Sequence, residues 1–255
     1  MQTRQSDLTE KQLIQEKQNQ FPYHYLDVFI AEYRLIHGFE YEHRSYRRAC
    51  KRLLEPFNGQ RILDIGCGDG RFLFELREEN AKLFGIDLSE QAIQFAKCFC
   101  PKAIFVVADL RKPVNLPPFD YITLIETLEH FVPSERDKIL QNLHALLRTG
   151  GKLIVSVPNT NQPLSHKHYE HFTPETLEKA LKPWFRLEKV TGHARRGWKK
   201  MPFNLVHGVC LLGFPFRHHL PLKGLYDWME TYYATHLERC APMEGDRLIA
   251  VFVKP

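Results

Sequence analysis

The most constraining stretch of the sequence is RILDIGCGDG, residues 61 to 70, in which a short apolar run leads into alternating glycines. Leu63 and Ile65 are spaced as in a buried strand, with the acidic residue Asp64 between them. Glycines at alternate positions let the backbone turn sharply and approach a ligand without intervening side chains. The pattern therefore predicts an α/β fold whose first strand ends in a nucleotide-binding turn. The three glycines of this turn are Gly66, Gly68 and Gly70.

The spacing of the glycines differs from that of a dinucleotide-binding turn, G-x-G-x-x-G, because the third glycine comes one residue early. Arg71 stands where that pattern has its last glycine, and Asp69 lies inside the turn. A carboxylate at this position would repel a phosphate group, which helix N-termini otherwise attract. The turn is therefore expected to bind a nucleoside that carries no phosphate.

Acidic residues also follow the next predicted strands, at the edge of a parallel sheet where ligands bind. Asp87 ends the second strand and is placed to accept hydrogen bonds from ribose hydroxyls. Asp109 and Leu110 follow the third strand, where they are expected to contact the amine and the face of a base. Glu126 follows the fourth strand. The predicted strands are residues 82–88, 103–107 and 119–125.

With these residues in place, the chain resembles the class I S-adenosylmethionine-dependent methyltransferases over about residues 45 to 190, with one more strand at the C-terminus. LDIGCGDG is similar to the family's first motif, IDLS to its acidic second-strand end, ADL to its adenine-side motif and TLIETLEH to its motif after strand four. In style the motifs are closest to small-molecule, quinone and glycan methyltransferases. The resemblance implies S-adenosyl-L-methionine as cofactor and S-adenosyl-L-homocysteine as product. It implies these cofactor-binding residues: Asp64, Gly66, Cys67, Gly68, Asp87, Leu88, Asp109, Leu110 and Glu126.

Strands that alternate with amphipathic helices predict a doubly wound, seven-stranded, mostly parallel sheet whose last strand is antiparallel. One of the helices is expected over residues 134–147, with a stop at Thr149, Gly150 and Gly151. The predicted organisation is a polar, flexible lead-in (1–20), an N-terminal helical cap (21–58), an S-adenosylmethionine-binding Rossmann-like core (59–191), a helical apolar insert (192–245) and the final core strand (246–255).

Length and composition are those of one large domain with appendages, since 255 residues bury roughly 70% of the unfolded surface. The six cysteines have no metal-ligand spacing and are expected to be reduced. The polar start is not typical of a secretory signal, and no apolar run is long enough to span a bilayer. A cytoplasmic location is therefore expected. The formal net charge of +5 permits an anionic acceptor without requiring one.

Histidines and a glutamate near the predicted site are candidates for contact with the methyl acceptor. SHKHYEHFTPETL, residues 165 to 177, resembles the H-x-x-H-F-T-P-E-x-L segment that lines the acceptor pocket in many small-molecule methyltransferases. If the acceptor is a hydroxyl, His130 or His168 can serve as the base, because a neutral imidazole takes up a proton near pH 7. The expected substrate contacts are Glu129, His171, Tyr41 and Tyr46, with Tyr41 and Tyr46 alternatively packing the cap on the sheet.

A metal site is the alternative interpretation of the same residues. Glu126, Glu129, His130 and a later histidine resemble the ligand set of the small-RNA 3′-end methyltransferases, in which two glutamates and two histidines bind a divalent metal. Non-metal members of the wider family, however, also often carry E-x-L-E-H after strand four. The chain also lacks the basic, aromatic-interleaved surface typical of RNA binding. We therefore expect neither a divalent metal nor a nucleic-acid partner.

The insert is the least usual part of the chain, because about fifty residues stand where a short hairpin is expected. Residues 205–216 form an apolar run too short to cross a bilayer. Three interpretations remain open: a buried helix that covers the sheet edge or a homodimer face, a hydrophobic acceptor pocket, or a peripheral membrane patch. The basic residues that would support a membrane patch are Arg195, Arg196, Lys199 and Lys200.

The expected function is S-adenosylmethionine-dependent methylation of a hydroxyl on a small molecule, a lipid-linked intermediate or a glycan. Oxygen is favoured over nitrogen because Val157 to Thr160, VPNT, departs from the N/D-P-P-Y/F motif of amino-directed methylation, and a carbon acceptor stays open. Two alternatives are a metal-assisted RNA 2′-O-methyltransferase and a non-catalytic, methyltransferase-like subunit that uses residues 192–245 as an interface.

Overall fold

The computed structural model describes residues 8–25, 38–213 and 222–255. The strands are β1 (Gln60–Ile65), β2 (Ala81–Asp87), β3 (Ile104–Val107), β4 (Phe119–Ile125), β5 (Leu147–Pro158), β6 (Arg186–Arg195), β7 (Arg239–Cys240) and β8 (Gly245–Val253). The α-helices are α1 (Glu10–Gln18), α2 (Gly38–Arg52), α3 (Arg71–Leu76), α4 (Glu90–Phe99), α5 (Pro133–Leu146), α6 (Pro174–Leu181), α7 (Met201–Gly213) and α8 (Lys223–Tyr232). Short helical turns cover Tyr23–Tyr25, Leu128–His130, Trp198–Lys200, Tyr233–Leu237 and Pro242–Glu244.

One mixed sheet of eight strands, in the order β3-β2-β1-β4-β5-β8-β6-β7, forms the centre of the fold. Strands β1 to β5 pair in parallel, and β8 runs antiparallel between β5 and β6. The α/β class and the antiparallel final strand are as expected. The predicted count of seven strands is wrong, because the insert returns to the sheet edge and adds β7, two residues that pair with Gly192 and His193 of β6.

Apolar side chains of the sheet alternate between two cores, as in a doubly wound sheet. Leu63 and Ile65 of β1 pack in one core with α5 and α6, through residues such as Leu143 and Leu177. Ile62, on the other face of β1, packs in the second core with α2, α3 and α4. The carboxyl ends of β1, β2 and β4 thus lie side by side in a rigid frame.

Helix α5 ends earlier than expected, and β5 begins directly at Leu147. Thr149, Gly150 and Gly151 lie within the strand and do not stop the helix, so this part of the prediction is wrong. The reason is a tertiary contact: the Lys254 ammonium donates hydrogen bonds to the carbonyl oxygens of His144 and Leu147, both at 2.7 Å. These bonds satisfy carbonyl groups that a glycine motif would otherwise cap.

The N-terminal segment contains more structure than a flexible lead-in. Helix α1 begins at a capping box, in which the Thr9 hydroxyl accepts from the Gln12 amide and the Gln12 side chain accepts from the Thr9 amide. Its attachments to the rest of the chain are polar: Tyr169 donates a hydrogen bond to Thr9, and Ser89 donates one to Glu16. Helix α1 therefore lies across the site as a polar cover, and the helical cap continues in α2.

The insert forms α7 and α8, which share a small third core. Phe203 and Cys210 of α7 pack with Tyr226 and Met229 of α8 and with Tyr41 of α2. The opposite face of α7 is exposed, so the helix is buried on one side. Residues 214–216, at the end of the apolar run, lie outside the described residues. In the described part of the chain, no helix combines the length and apolarity that a bilayer crossing requires.

Candidate active site

The glycine turn after β1 has the geometry that its sequence predicts. Gly66, Gly68 and Gly70 have φ angles of 67°, 52° and 79°, in the left-handed region where a side chain is strained. A Cβ atom on Gly66 would lie 2.5 Å from Cγ2 of Thr127, so this position has no room for any side chain. At Gly68, which lines the cavity, no atom lies within 4 Å of such a Cβ. The backbone at Gly68 is therefore open to a ligand.

The carboxylate of Asp87 fastens this turn to the end of β2. One oxygen accepts a hydrogen bond from the Gly68 amide and the other from the Ser89 amide, both at 2.8 Å. Burial raises the pKa of Asp87, and the two amide donors partly offset that effect. Each oxygen keeps a further lone pair, so the carboxylate can still accept a ribose hydroxyl.

Two other predicted cofactor carboxylates are held by neighbouring side chains. Asp64 is buried and accepts a hydrogen bond from the Thr123 hydroxyl at 2.6 Å. Burial raises the pKa of Asp64 to about 7 despite this bond. Burial would also raise the pKa of Asp109, but hydrogen bonds and charge from Arg111 bring it below its ordinary value. Asp109 therefore remains an anion at the edge of the cavity.

The glycine turn opens into a cavity of about 710 Å³, within the roughly 300–1,000 Å³ typical of small-molecule sites. Its walls include all nine predicted cofactor residues. Of the predicted catalytic and substrate residues, four line it: His130, His168, Glu129 and Tyr46.

Two predicted substrate residues lie outside the cavity wall. Tyr41 packs edge-on against Phe203 of α7, with ring centroids 5.4 Å apart. His171 lies behind His168, and its Nε2 is 2.9 Å from Nδ1 of that residue. The structure thus places Tyr41 in the third core and His171 in contact with a residue that lines the cavity.

Glu126 has an unusual backbone and a fully engaged side chain. Its φ angle of 51° is rare for a residue that is not glycine. One carboxylate oxygen accepts from the Ser156 hydroxyl at 2.8 Å, and the other from Nε of Arg247 at 3.0 Å. Glu126 therefore does not point into the cluster formed by Glu129, His130 and His168 that the metal interpretation requires.

The hydrogen bonds of the histidines assign their tautomers. Nδ1 of His130 is 3.2 Å from the carbonyl oxygen of Lys167, which can only accept, so Nδ1 carries the proton. In the same way, Nδ1 of His171 donates to the carbonyl of Gln162, which leaves its Nε2 to accept from Nδ1 of His168. Both His130 and His168 consequently keep a lone pair on Nε2.

Glu129 adds a carboxyl group to these two lone pairs. It is completely buried, and neither of its oxygens has a hydrogen-bond partner in the described part of the chain. One oxygen lies 3.9 Å from Nε2 of His130. Burial, reinforced by the negative charge of Glu126, raises the pKa of Glu129 well above its ordinary value. Three ligand atoms, one each from Glu129, His130 and His168, lie within 4.8 Å of one another. A divalent metal or a hydrogen-bond donor could bind between them.

Some residues of the cavity wall carry little or no signal in the sequence. Helix α1 covers the cavity with Gln12, Gln15 and Glu16. The capping box at Thr9 indicates a helix in the sequence, but nothing in the sequence shows where that helix lies. Arg247, on β8, lines the cavity beside Glu126, and its only signal in the sequence is an arginine directly before the apolar run of residues 248–253.

The sequence matches a family described as a methyltransferase domain over residues 39–210. This match covers most of the chain, including the glycine turn and every strand up to β6. The chain belongs to the class I S-adenosylmethionine-dependent methyltransferases. In this family the cofactor carries the transferable methyl group, and the open backbone at Gly68 beside the carboxylate of Asp87 fits a nucleoside without phosphates.

Two similar proteins have names that indicate different methyl acceptors. The tRNA N(3)-methylcytidine methyltransferase trm140 of Schizosaccharomyces pombe is 31% identical over 115 residues, 40% of this chain. A ubiquinone biosynthesis O-methyltransferase of Coxiella burnetii is 32% identical over 108 residues, again 40% of this chain. The matched regions span 38% and 45% of these two relatives, which is less than half of their lengths.

Solved structures support the fold. The N-methyltransferase NodS from Bradyrhizobium japonicum, in complex with S-adenosyl-L-homocysteine, superposes with a TM-score of 0.61 at 17% identity. The superposition covers 96% of this chain and 97% of NodS. At this identity the similarity concerns the fold, which hosts many different reactions.

We expect Gly66→Ala to abolish binding of S-adenosyl-L-homocysteine in isothermal titration calorimetry, because the added methyl group would overlap Thr127. The matched control is Gly59→Ala. Gly59 has a similar positive φ of 81°, and a Cβ there would meet no atom within 4 Å. Both variants carry a similar backbone strain of about 1–2 kcal/mol, and they differ in the overlap with Thr127 beside the cavity. Absence of binding by wild type would favour the alternative of a non-catalytic, methyltransferase-like subunit.

His130 and His168 are expected to stay neutral across the physiological range. Burial lowers the pKa of His130 to about 4, and burial together with the nearby His130 and His171 lowers that of His168 to about 3. An ordinary histidine has a pKa of about 6.5. Ring-proton NMR, assigned with His130→Gln and His168→Gln, should show neither resonance shifting above about pH 5.5. A titration midpoint near the ordinary histidine pKa of about 6.5 would contradict the expected effect of burial.

Proposed function

We propose that this protein transfers the methyl group of S-adenosylmethionine to a hydroxyl oxygen of a small molecule, a lipid-linked intermediate or a glycan. The observation that carries the proposal is a pair of histidine lone pairs in the cavity wall, with a buried carboxyl group beside them. Nε2 of His130 and Nε2 of His168 both keep a lone pair, and Glu129 lies beside them without a hydrogen-bond partner among the described residues. A hydroxyl group can donate its proton to one of these lone pairs, and it must lose that proton when its oxygen is methylated.

S-adenosylmethionine supplies an electrophilic methyl on a sulfonium, which becomes a neutral thioether when the methyl leaves. The protein therefore has to position the acceptor oxygen and accept its proton. His130 is suited to this task because its Nδ1–H is anchored to the Lys167 carbonyl, which fixes Nε2 as the basic atom. His168 is oriented in the same manner through His171 and Gln162. Helix α1 covers the cavity and limits the access of water.

The low pKa of His130 limits its strength as a base before the reaction begins. Proton transfer becomes favourable only as the oxygen bonds to the methyl group and its own pKa falls. A phenolic or enolic hydroxyl, which is more acidic than an alkyl alcohol, suits such a base best. The O-methyltransferase of ubiquinone biosynthesis among the relatives supports an oxygen acceptor.

The proposal is tested by label transfer from S-adenosylmethionine to a panel of phenolic quinone precursors, lipid-linked sugars, free glycans, amines and tRNA. We expect an oxygen-methylated product, identified by mass spectrometry. With that acceptor, His130→Gln should lower kcat by roughly 10²- to 10⁴-fold, the usual contribution of a general base, and leave binding of S-adenosyl-L-homocysteine unchanged. The control is His144→Gln on α5, outside the cavity wall. Methylation of nitrogen alone would refute the proposal.

A metal-assisted reaction on an RNA 2′-hydroxyl is the second candidate, and the three clustered ligand atoms favour it. Glu129, His130 and His168 would hold the ion, and the outer nitrogens of both histidines already donate hydrogen bonds, as in many metal sites. A bound divalent ion would polarise the acceptor hydroxyl. The predicted fourth ligand, Glu126, is held by Ser156 and Arg247 instead.

Chelation separates the two candidates. If His130 acts as a base, dialysis against EDTA leaves the turnover rate unchanged. Calorimetry with Mn²⁺ alone would then show no binding that depends on Glu129. If the reaction is metal-assisted, EDTA abolishes turnover, added Mn²⁺ restores it, and Glu129→Gln loses both Mn²⁺ binding and the restoration.

A further inference from the structure

Helix α7 presents an apolar stripe to the outside of the molecule. Met201, Leu205, Val209 and Leu212 are spaced by three or four residues, which places them on one face of the helix. Their exposed fractions are 67%, 72%, 50% and 81%. The stripe is roughly 16 Å long at the helical rise of about 1.5 Å per residue. An exposed stripe of this kind marks an interaction surface.

The other face of α7 is already occupied. Phe203 and Cys210 are buried against α8, where Cys210 contacts Met229. The stripe is thus not the side by which the helix joins the fold. The small third core holds α7 in place while its outer face remains available.

The charge around the stripe indicates which partner it fits. Residues 189–226 contain seven lysines and arginines and no aspartate or glutamate. Arg195, Arg196 and Lys200 pair with carboxylates of other segments. Lys199 has no carboxylate partner among the residues that the structure describes, and its ammonium lies 5.8 Å from the ring centre of Trp198.

Trp198 lies one turn before Met201, at the start of the stripe, and is 74% exposed. Tryptophan and lysine at the end of an apolar helical face are typical of elements that lie in the interface of a membrane. The cores of protein–protein interfaces are, by contrast, depleted of lysine. The phosphates of an RNA could bind the lysines, but RNA has no group that would bury the aliphatic stripe.

We propose that Trp198, Lys199 and the outward stripe of α7 dock this protein on the surface of an anionic phospholipid membrane. The aliphatic side chains enter the boundary between headgroups and acyl chains, Trp198 lies at headgroup level, and Lys199 attracts the lipid phosphates. This surface is separate from the cavity and does not depend on the identity of the methyl acceptor.

The test is co-sedimentation of the full chain with vesicles of phosphatidylcholine alone and of phosphatidylcholine mixed with phosphatidylglycerol. Wild type should bind the mixed vesicles more tightly, and the double variant Leu205→Gln/Leu212→Gln should bind them at least about tenfold more weakly. The matched control is Ile104→Gln, an equally simple loss of an exposed apolar side chain (54% exposed) on strand β3 near the far edge of the sheet. Unchanged binding of S-adenosyl-L-homocysteine shows that each variant is folded.

Two further readouts locate the contact. Trp198 fluorescence should shift to shorter wavelength with mixed vesicles, and Trp198→Phe should remove that shift. Lys199→Glu should weaken binding to the mixed vesicles only. The proposal is overturned if wild type does not bind mixed vesicles, or if the double variant binds them as well as Ile104→Gln does. It is also overturned if wild type dimerises in size-exclusion chromatography and the double variant does not, because the stripe would then hold a second copy.

Discussion

The carboxylate of Asp87 connects the two loops on which the candidate site depends. Its oxygens accept the amides of Gly68 and Ser89, which lie after neighbouring parallel strands. These two bonds fix the glycine turn relative to the first residue of α4, whose N-cap is Ser89. A buried amide that lost this partner would carry a cost of about 1–3 kcal/mol. The shape of the nucleoside side of the cavity thus follows from one acidic side chain.

On the opposite side of the cavity, the residues of the segment ETLEH, 126–130, have different roles. Glu126 is held by Ser156 and Arg247, so it supports the wall and stabilises its own rare backbone conformation. Glu129 and His130, three and four residues later, are turned by a short helical segment toward His168. Similar residue types thus act either as support or as candidate chemistry, according to their partners.

The sequence alone predicted the local features of this fold well. Strand β4 has the predicted limits, and the glycine turn and the acids after the strands lie where periodicity placed them. Features that depend on distant contacts could not be predicted. Arg247 is 121 residues from Glu126, and the end of α5 is capped by Lys254 from the last residues of the chain. Strand β7 has only two residues, too few for any periodicity to show.

Helix α1 has none of its residues buried, although it covers the cavity. Its contacts are polar, such as Tyr169 to Thr9 and Ser89 to Glu16, and water can replace each of them at little cost. No residue of α1 belongs to the apolar cores, so detaching this helix would leave the cores intact. A local rearrangement of α1 alone would thus widen the entrance through which the cofactor is exchanged, without loosening the sheet.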